Sequence, residues 1–247
     1  MFKEFSVPSQ RIGDFRSFEE PAVLIVRKAS RGILKGEGCL GIFPASFNPP
    51  TKAHAALINE ARKRGNLDEI LVLLDIEAMD KETIAAKFED RLAMMEKVFG
   101  KDPRISIGLT NRGLFLQKIK PLRKDYPPPI EFSFIVGFDT ILRVMDRKYY
   151  QNRKKSLDEL FCQSKFLVAN RGEQEGEAFV WFFDKQGNRP YRDQISFFSL
   201  PPRFSSFSST LVRERIARGQ PVDQWVHAVL LPFIEERGLY RTNPHDR

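Results

Sequence analysis

Short runs of consecutive apolar residues alternate along this chain with stretches in which apolar residues recur at helical spacing. A continuous run is typical of a parallel strand buried on both faces, and the spaced pattern is typical of a helix with one buried face. The runs predict strands at residues 39–43, 69–75, 104–109, 131–136 and 165–170. The spaced residues predict helices at 52–65, 83–99 and 114–122. This alternation predicts an α/β fold with a doubly wound (Rossmann-like) parallel sheet.

The pattern changes towards both ends of the chain. Residues 1–37 form an N-terminal extension before the main domain, 38–247. Their apolar patch at 22–26 fits an added edge strand or a short packed helix better than it fits a partner-binding arm. After the fifth strand, apolar runs at 178–183 and 194–198 predict a hairpin. A helix that ends at Gly219 opens a predicted helical C-terminal tail.

Bulk properties bound the class of protein. The 247 residues, 42% of them hydrophobic, can bury one core, and the formal net charge of +8 fits acidic partners such as nucleotides, although scattered surface cations produce the same value. Basic tracts at 147–148 and 153–155 carry no recognition motif, so no nucleic-acid partner is expected. Cys39 and Cys162 fit neither a disulfide framework nor a zinc site and are expected to be reduced and buried. Without a leader or a bilayer-length apolar segment, a cytoplasmic protein with no membrane contact is expected.

Residues 38–65 carry the first candidate chemistry. Three prolines between residues 44 and 50 end the strand because proline lacks a ladder donor, and the helix that follows has His54 in its first turn and Gly65 as its stop. A helix start presents unpaired N–H groups and partial positive charge, and an imidazole there adds a donor for phosphate oxygens. Since parallel strands bind ligands at their carboxyl ends, the segment predicts a nucleotide pocket. The alternative for His54 is a packed core histidine.

Residues 45–54, ASFNPPTKAH, resemble the first signature of the nucleotidylyltransferase superfamily, most closely that of the nicotinamide/nicotinate mononucleotide adenylyltransferases. The family pattern is G-[ST]-F-[DN]-P-x-[HT]-x-x-H, in which a threonine can replace the first histidine. Ala45 and Ala53 depart from it, because glycine is usual at both positions and an added methyl narrows a ligand's approach to the backbone. The resemblance implies catalytic roles for His54 and Thr51. It implies ATP- or substrate-binding roles for Ser46, Phe47 and Asn48.

Hydroxyl-bearing residues open the predicted helix near residue 209. Such residues are ordinary N-caps, but a cap does not require Arg213, which lies one turn inside on the same face as Ser209 and Thr210. Backbone N–H groups, hydroxyls and a guanidinium there would converge on phosphate oxygens. Residues 208–213, SSTLVR, resemble the superfamily's second signature, [IV]-S-S-T-x-[IV]-R, with Phe207 at the aliphatic position. The resemblance implies that Arg213 is catalytic and that Ser208, Ser209 and Thr210 bind ATP.

Four further residues are candidates for the same pocket. Gly137 and Asp139 follow the fourth strand; Asp139 suits an N-cap, and the resemblance implies that this segment also meets the adenosine end of the nucleotide. Lys81 follows the second strand, where the family often carries a lysine that reaches phosphate, and a solvated loop lysine is the alternative. Arg171 follows the fifth strand and is a basic candidate near the pocket mouth.

The resemblance as a whole implies adenylyl transfer from ATP to nicotinamide or nicotinate mononucleotide, giving an NAD-type dinucleotide and pyrophosphate. The implied cofactor is Mg²⁺, for which no protein ligands are assigned. The implied partners are ATP and a small phosphorylated acceptor. The chain is compatible with an oligomer. The family commonly stacks the pyridine ring on a mid-chain aromatic residue, for which Phe115, Tyr126 and Phe132 are candidates. Alternatives are another phosphate-ester acceptor such as phosphopantetheine, cytidylyl transfer, or a nucleotide-binding protein that only hydrolyses ATP.

Overall fold

The computed structural model describes residue 15 and residues 18–33, 36–76, 86–170 and 175–241. Seven strands form one sheet in the order β1-β4-β3-β2-β5-β6-β7. β1 is antiparallel to β4, and all other neighbouring strands are parallel. The strands are β1 (Val23–Arg27), β2 (Cys39–Ala45), β3 (Glu69–Asp75), β4 (Ile105–Thr110), β5 (Glu131–Gly137), β6 (Lys165–Asn170) and β7 (Ile195–Ser199).

Helices cover both faces of this sheet. In the described ranges they are α1 (Lys52–Gly65), α2 (Phe88–Phe99), α3 (Phe115–Leu122), α4 (Phe138–Val144), α5 (Arg153–Gln163), α6 (Glu175–Asp184), α7 (Ser209–Ala217) and α8 (Leu231–Glu236). Short 3-10 turns add Arg147–Tyr149, Arg189–Gln194, Pro202–Phe204 and Ala228–Leu230. The predicted doubly wound α/β fold with a helical C-terminal tail is confirmed.

Two apolar cores separate the layers. Alternate residues of the buried strand β3 face opposite ways, so that Val72 packs towards α1 and α2 while Leu73 packs towards α3, α4, α5 and α6. A third cluster joins Met94 of α2 to Val212 of α7 and Phe233 of α8. The C-terminal tail is therefore anchored on the α2 side of the molecule, next to the helix that carries Arg213.

Several predicted boundaries agree with the structure and others are wrong. The patch at 22–26 forms edge strand β1, one of the two alternatives. Helix α1 reaches Gly65, but the left-handed residue that ends it is Asn66, with φ of 46°. Strand β2 continues past Pro44 because pairing with β5 stops at Ile42 while pairing with β3 runs to Ala45, which leaves the proline where β2 has one neighbour.

The predicted hairpin after β6 is wrong. Residues 175–184 form helix α6, and β7 then returns parallel to β6. A short apolar run does not by itself distinguish a strand from a buried helix. Phe179, Phe182 and Phe183 have helical spacing, and all three rings pack against Phe197 of β7.

The two cysteines are free thiols, as predicted. Cys39 is half-buried and its pKa is raised by burial, whereas Cys162 is exposed, so the prediction that both are buried is wrong. Cys162 lies on α5, whose buried face is formed by Leu157, Leu160 and Phe161. None of the helices in the described segments combines the length and apolarity that a membrane span needs.

Tyrosine hydroxyls donate hydrogen bonds inside the fold, among them those from Tyr126 to Glu69, from Tyr150 to the Val144 carbonyl and from Tyr191 to Asp158. Burial raises the pKa of Tyr150 to about 12, burial and the Asp158 carboxylate raise the pKa of Tyr191 to about 12, and burial also raises the pKa of Tyr126.

These raised pKa values predict a loss of stability at alkaline pH. An unfolded tyrosine has a pKa of about 10, so the stabilisation is complete below about pH 10 and is lost as the pH rises through the native values. Urea unfolding at a series of pH values, with tyrosinate absorbance recorded in parallel, measures this. A free energy of unfolding that stays constant across that window would contradict the prediction.

Candidate functional site

A crevice of about 300 Å³ opens at the carboxyl ends of β2 and β5. The strand order reverses between these neighbours, since the chain proceeds from β2 through β3 to β4 on one side and from β5 through β6 to β7 on the other. Open α/β sheets bind ligands at such a switch point. The walls come from the ends of β2, β5 and β6 and from the first turns of α1 and α4, and they include Ala45, Ala53, His54, Gly137, Asp139 and Asn170.

His54 lies at the third position of α1, with its imidazole in the crevice wall. The Thr51 backbone N–H donates to His54 Nδ1 at 2.9 Å, and Thr51 Oγ1 lies 2.8 Å from the same atom. Because Nδ1 accepts from a backbone N–H, the neutral ring carries its proton on Nε2. The Thr51 backbone at the start of α1 therefore fixes which nitrogen of His54 donates. A histidine that only packs in the core does not require such a fixed tautomer.

Thr51 and Phe47 are fully buried, and both contact the His54 ring. Phe47 has φ of 44°, an unusual conformation for a bulky residue that costs about 1–3 kcal/mol and persists only where the surrounding structure fixes it. Its ring lies 5.3 Å from the His54 ring, 5.5 Å from Phe43 and 5.7 Å from Phe99. Neither side chain lines the crevice, and both contact His54 instead.

The buried Asn48 side chain joins three parts of the chain. Its Oδ1 accepts from the Tyr240 hydroxyl at 2.8 Å and from the Ala86 N–H at 3.2 Å. Arg91 is also buried, and its Nη1 donates to the Ser46 carbonyl at 3.2 Å. The loop at residues 46–51 is thus bonded both to α2 and the residues just before it, and to the C-terminal tail. Ser46 and Asn48 thus contribute to the loop's conformation.

The start of α7 is bonded directly to that loop. Ser208 caps α7 by accepting from the Leu211 N–H at 3.0 Å, Ser209 Oγ donates to the Pro49 carbonyl at 2.8 Å, and Arg213 Nη1 donates to the Asn48 carbonyl at 2.7 Å. Arg213 Nη2 also donates to Thr210 Oγ1 at 3.2 Å. Two segments about 160 positions apart in sequence are thereby brought together. Both present helix N-termini, where unpaired N–H groups favour an anion.

Gly137 and Asp139 line the crevice opposite His54. The prediction that Asp139 caps α4 is wrong, because the N-cap position falls on Gly137 and no side chain caps this helix. The Asp139 carboxylate is exposed instead, within the first turn of α4. A Cβ built on Gly137 would meet nothing within 4 Å, so the glycine keeps the crevice open rather than relieving a clash.

Ala45 and Ala53 occupy regular structure where the superfamily uses glycine. Ala45 ends β2 and Ala53 lies in the first turn of α1, and neither has a positive φ. Alanine therefore fits both backbones without strain, and its methyl group takes a place in the crevice wall. Lys81 and Arg171, the two remaining predicted residues, lie outside the described residues.

Sequence reasoning missed Phe138, Thr140 and Asn170, which also line the crevice. Asn170 is the last residue of β6, so the strand-end rule that selected Gly137 could have selected it as well. Tyr240 was missed for a different reason. Its contact with Asn48 spans 192 positions, and no local pattern announces such a pairing.

Two of the three candidate stacking residues are excluded by position. Tyr126 and Phe132 are buried at the amino ends of the strands, away from the crevice: Tyr126 donates to Glu69, the first residue of β3, and the Arg123 guanidinium lies 3.7 Å from the Phe132 ring centroid. Phe115 is half-buried, with its ring 5.0 Å from Phe134. The prediction of a stacking role for Tyr126 and Phe132 is wrong.

Removing the Tyr240 hydroxyl should loosen the loop at 46–51. Asn48 keeps its bond from Ala86, so we expect Tyr240→Phe to cost about 0.5–1.5 kcal/mol, the value of one ordinary hydrogen bond. Tyr150→Phe is the matched control, because it removes a hydroxyl bond to the Val144 carbonyl. Thermal unfolding should show similar losses for both variants, but only Tyr240→Phe should weaken ATP binding in calorimetry. Equal ATP affinity in the two variants would contradict this role.

Comparison with known proteins agrees with this geometry. Residues 42–215 match the family model described as cytidylyltransferase-like. A Schizosaccharomyces pombe protein, provisionally named as a nicotinamide mononucleotide adenylyltransferase, is 30% identical over 65% of this chain, and the match spans 62% of that relative's length. A Halalkalibacterium halodurans protein, provisionally named as a nicotinate-nucleotide adenylyltransferase, is 27% identical over 83% of this chain and 92% of its own length.

Solved structures show the same fold. The Plasmodium falciparum nicotinic acid mononucleotide adenylyltransferase in complex with NaAD superposes with a TM-score of 0.62, at 17% identity, over 82% of this chain and 97% of that one. The same enzyme in complex with APC gives a TM-score of 0.60 at 16% identity, with the same coverage. The predicted resemblance to the nucleotidylyltransferase superfamily is confirmed.

Proposed function

The chain belongs to the cytidylyltransferase-like family, and we propose that it transfers the adenylyl group of ATP to a mononucleotide, nicotinamide or nicotinate mononucleotide. The products are a dinucleotide of the NAD type and pyrophosphate. The names of the S. pombe and H. halodurans relatives support this acceptor class. The SSTLVR segment, of the adenylyl type, supports ATP over CTP as the donor.

One observation carries the proposal: the start of α7 is bonded to the loop that positions His54. Ser209 and Arg213 donate to consecutive carbonyls of that loop, those of Pro49 and Asn48. In the proposal, the N-termini of α1 and α7, the His54 Nε2–H and the Arg213 guanidinium face one bound anion beside the switch point. A triphosphate is the ligand whose charge and length suit these donors.

In this proposal the adenosine end of ATP lies against Gly137 and Asp139 at the end of β5. Its phosphates run past His54, which lines the crevice, to Arg213, which lies outside the crevice lining but is bonded to the adjoining loop at Asn48. The acceptor phosphate attacks the α-phosphorus in line, and the bond to the β,γ-diphosphate breaks. His54 Nε2–H and Arg213 donate to phosphate oxygens that gain charge, so the chain positions two anions without forming a covalent intermediate. Thr51 holds the tautomer of His54 that makes this donation.

Mg²⁺ fits this site as a partner of the substrate phosphates. In the described segments no group of three or more His, Cys, Asp or Glu side chains could hold a metal ion, and Mg²⁺ commonly binds through substrate phosphates, water and one or two carboxylates. Asp139, which is exposed in the crevice wall, is the carboxylate that would contact the ion. When bound, Mg²⁺ offsets the negative charge of the phosphates.

A transfer assay tests the proposed function. The purified chain is incubated with ATP and Mg²⁺ and, separately, with nicotinamide mononucleotide, nicotinate mononucleotide or phosphopantetheine, while dinucleotide and pyrophosphate are measured; CTP replaces ATP in a parallel series. We expect dinucleotide and pyrophosphate in equal amounts with ATP and a pyridine mononucleotide. Release of orthophosphate without any dinucleotide would support an ATP-hydrolysing protein and overturn the proposal.

A further inference from the structure

A second groove lies on the other side of α1 from the crevice. Its volume is about 590 Å³, within the range of about 300–1,000 Å³ that is usual for small-molecule sites. It is lined by residues of α1, by residues of the segment 201–204, and by Arg104 and His227. None of the residues that line it lines the crevice.

The groove is strongly cationic. Its lining contains five cationic side chains, Lys52, Arg62, Lys63, Arg104 and Arg203, and one carboxylate, Glu60. Two carboxylates close to it have partners: Glu60 pairs with Lys63 at 2.7 Å, and Asp102, beside the groove, pairs with Arg62 at 3.0 Å. Lys52 Nζ donates to the Asp223 carbonyl at 2.8 Å. Arg104 and Arg203 are exposed and make no salt bridge within the described ranges, although the Arg104 charge helps to lower the pKa of the neighbouring Asp102. Their charge is therefore available to a ligand.

The remaining chemistry of the lining also suits an anion. His227 Nε2 is covered and has no hydrogen-bond partner among the described residues, and the same holds for Nε and Nη2 of Arg62. Buried polar atoms in proteins nearly always have a hydrogen-bond partner. These atoms can therefore form hydrogen bonds with a ligand in the groove. The Arg203 guanidinium lies 4.9 Å from the Phe204 ring centroid, which adds an aromatic surface to the lining of the groove.

We propose that this groove is a second anion site, separate from the crevice, which binds a chain of two or more phosphoryl groups. The cations stand on three separate segments, α1, the loop at Arg104 and the segment 201–204, so a single small anion would leave part of the charge unmatched. Guanidinium groups, two of them unpaired, are well suited to phosphate oxygens. The ligand is an inorganic polyphosphate, such as pyrophosphate, or the phosphate chain of a nucleotide.

Calorimetric titration with inorganic tripolyphosphate tests the proposal without turnover, so it does not depend on the proposed function. We expect two sites on the full chain. In the double variant Arg104→Glu/Arg203→Glu, one site should weaken by roughly ten-fold or more, because two charge-assisted contacts become repulsive. In Arg213→Ala the other site should weaken and the groove site should persist. Arg104→Gln/Arg203→Gln repeats the test with a milder change should the charge reversal impair folding.

Lys124→Glu/Lys155→Glu is the matched control. It changes the net charge by the same amount at exposed positions on the α3 and α5 side of the sheet. If this control lost as much affinity for tripolyphosphate, the loss would come from the net charge of the protein and not from the groove. That result would overturn the proposal. A single site that Arg213→Ala abolishes, and that both groove variants leave unchanged, would overturn it as well.

Repeating the titration with ATP distinguishes the two sources of the ligand. If the groove binds ATP and tripolyphosphate with equal affinity, it recognises only the phosphate chain. A tighter ATP site that Phe204→Ala weakens assigns it to a nucleotide. Failure of the transfer assay together with retention of the groove site would refute the proposed function and leave this inference standing.

Discussion

The His54→Ala variant is expected to turn over about 100- to 1,000-fold more slowly than the unmodified chain, the usual cost of removing one preorganised donor to a charged transition state. The expectation comes from the hydrogen bond of the Thr51 N–H to His54 Nδ1, which places the ring proton on Nε2, on the crevice side of α1. An alanine leaves the helix start intact but removes that donor. Initial rates of dinucleotide formation at saturating ATP measure the effect.

Two further variants distinguish hydrogen-bond donation by the His54 ring from its packing contacts. His54→Gln retains an amide N–H near the position of Nε2, so it should recover part of the lost rate. Thr51→Val removes the hydroxyl but keeps the backbone N–H that fixes the tautomer, so it should lower the rate far less than His54→Ala. Rates of His54→Ala within a few-fold of the unmodified chain, with normal thermal unfolding, would refute a catalytic role for the imidazole.

Arg213→Ala is expected to lower kcat/KM by about 100-fold or more, with part of the loss in ATP affinity. Arg213 makes one bond to the Asn48 carbonyl and one to Thr210, and a guanidinium has five N–H donors, so donors remain for a phosphate chain. The variant removes those donors and one bond between α7 and the loop at 46–51. Steady-state kinetics over a range of ATP concentrations separates the effect on kcat from that on KM.

Arg218→Ala is the control for Arg213→Ala. It removes the same charge from the C-terminal end of α7, where the side chain is exposed. Arg213→Lys should recover little activity, because an ammonium group does not reproduce the geometry of the guanidinium fork. If Arg213→Ala and Arg218→Ala had equal, small effects, the guanidinium would be a surface charge and not part of the site.

The sequence was most informative where one residue type determines local structure. Strand β3 is an unbroken apolar run, and its bounds agree with the prediction at both ends. Hydroxyl residues at 208–210 and the glycine at 219, with φ of 68°, likewise determine where α7 begins and ends. In each case the pattern reports a local preference that tertiary contacts reinforce.

Tertiary contacts decided the features that the sequence did not predict. Helix α6 forms from a run that reads equally well as a strand, and the aromatic packing against Phe197 settles it. Tyr126 and Phe132 are aromatic and lie mid-chain, but strand direction places them at the wrong end of the sheet. The contact of Tyr240 with Asn48 and the second groove both join segments that are remote in sequence.

The central claim is that His54 and Arg213, from segments remote in sequence, act on the same bound triphosphate. The most direct test is the kcat/KM of the double variant His54→Ala/Arg213→Ala against the two single variants. Groups that act as a unit are strongly non-additive, so we expect the double variant to be within about ten-fold of the slower single variant. Losses that multiply in full would show that the two side chains act independently, and would contradict a shared site.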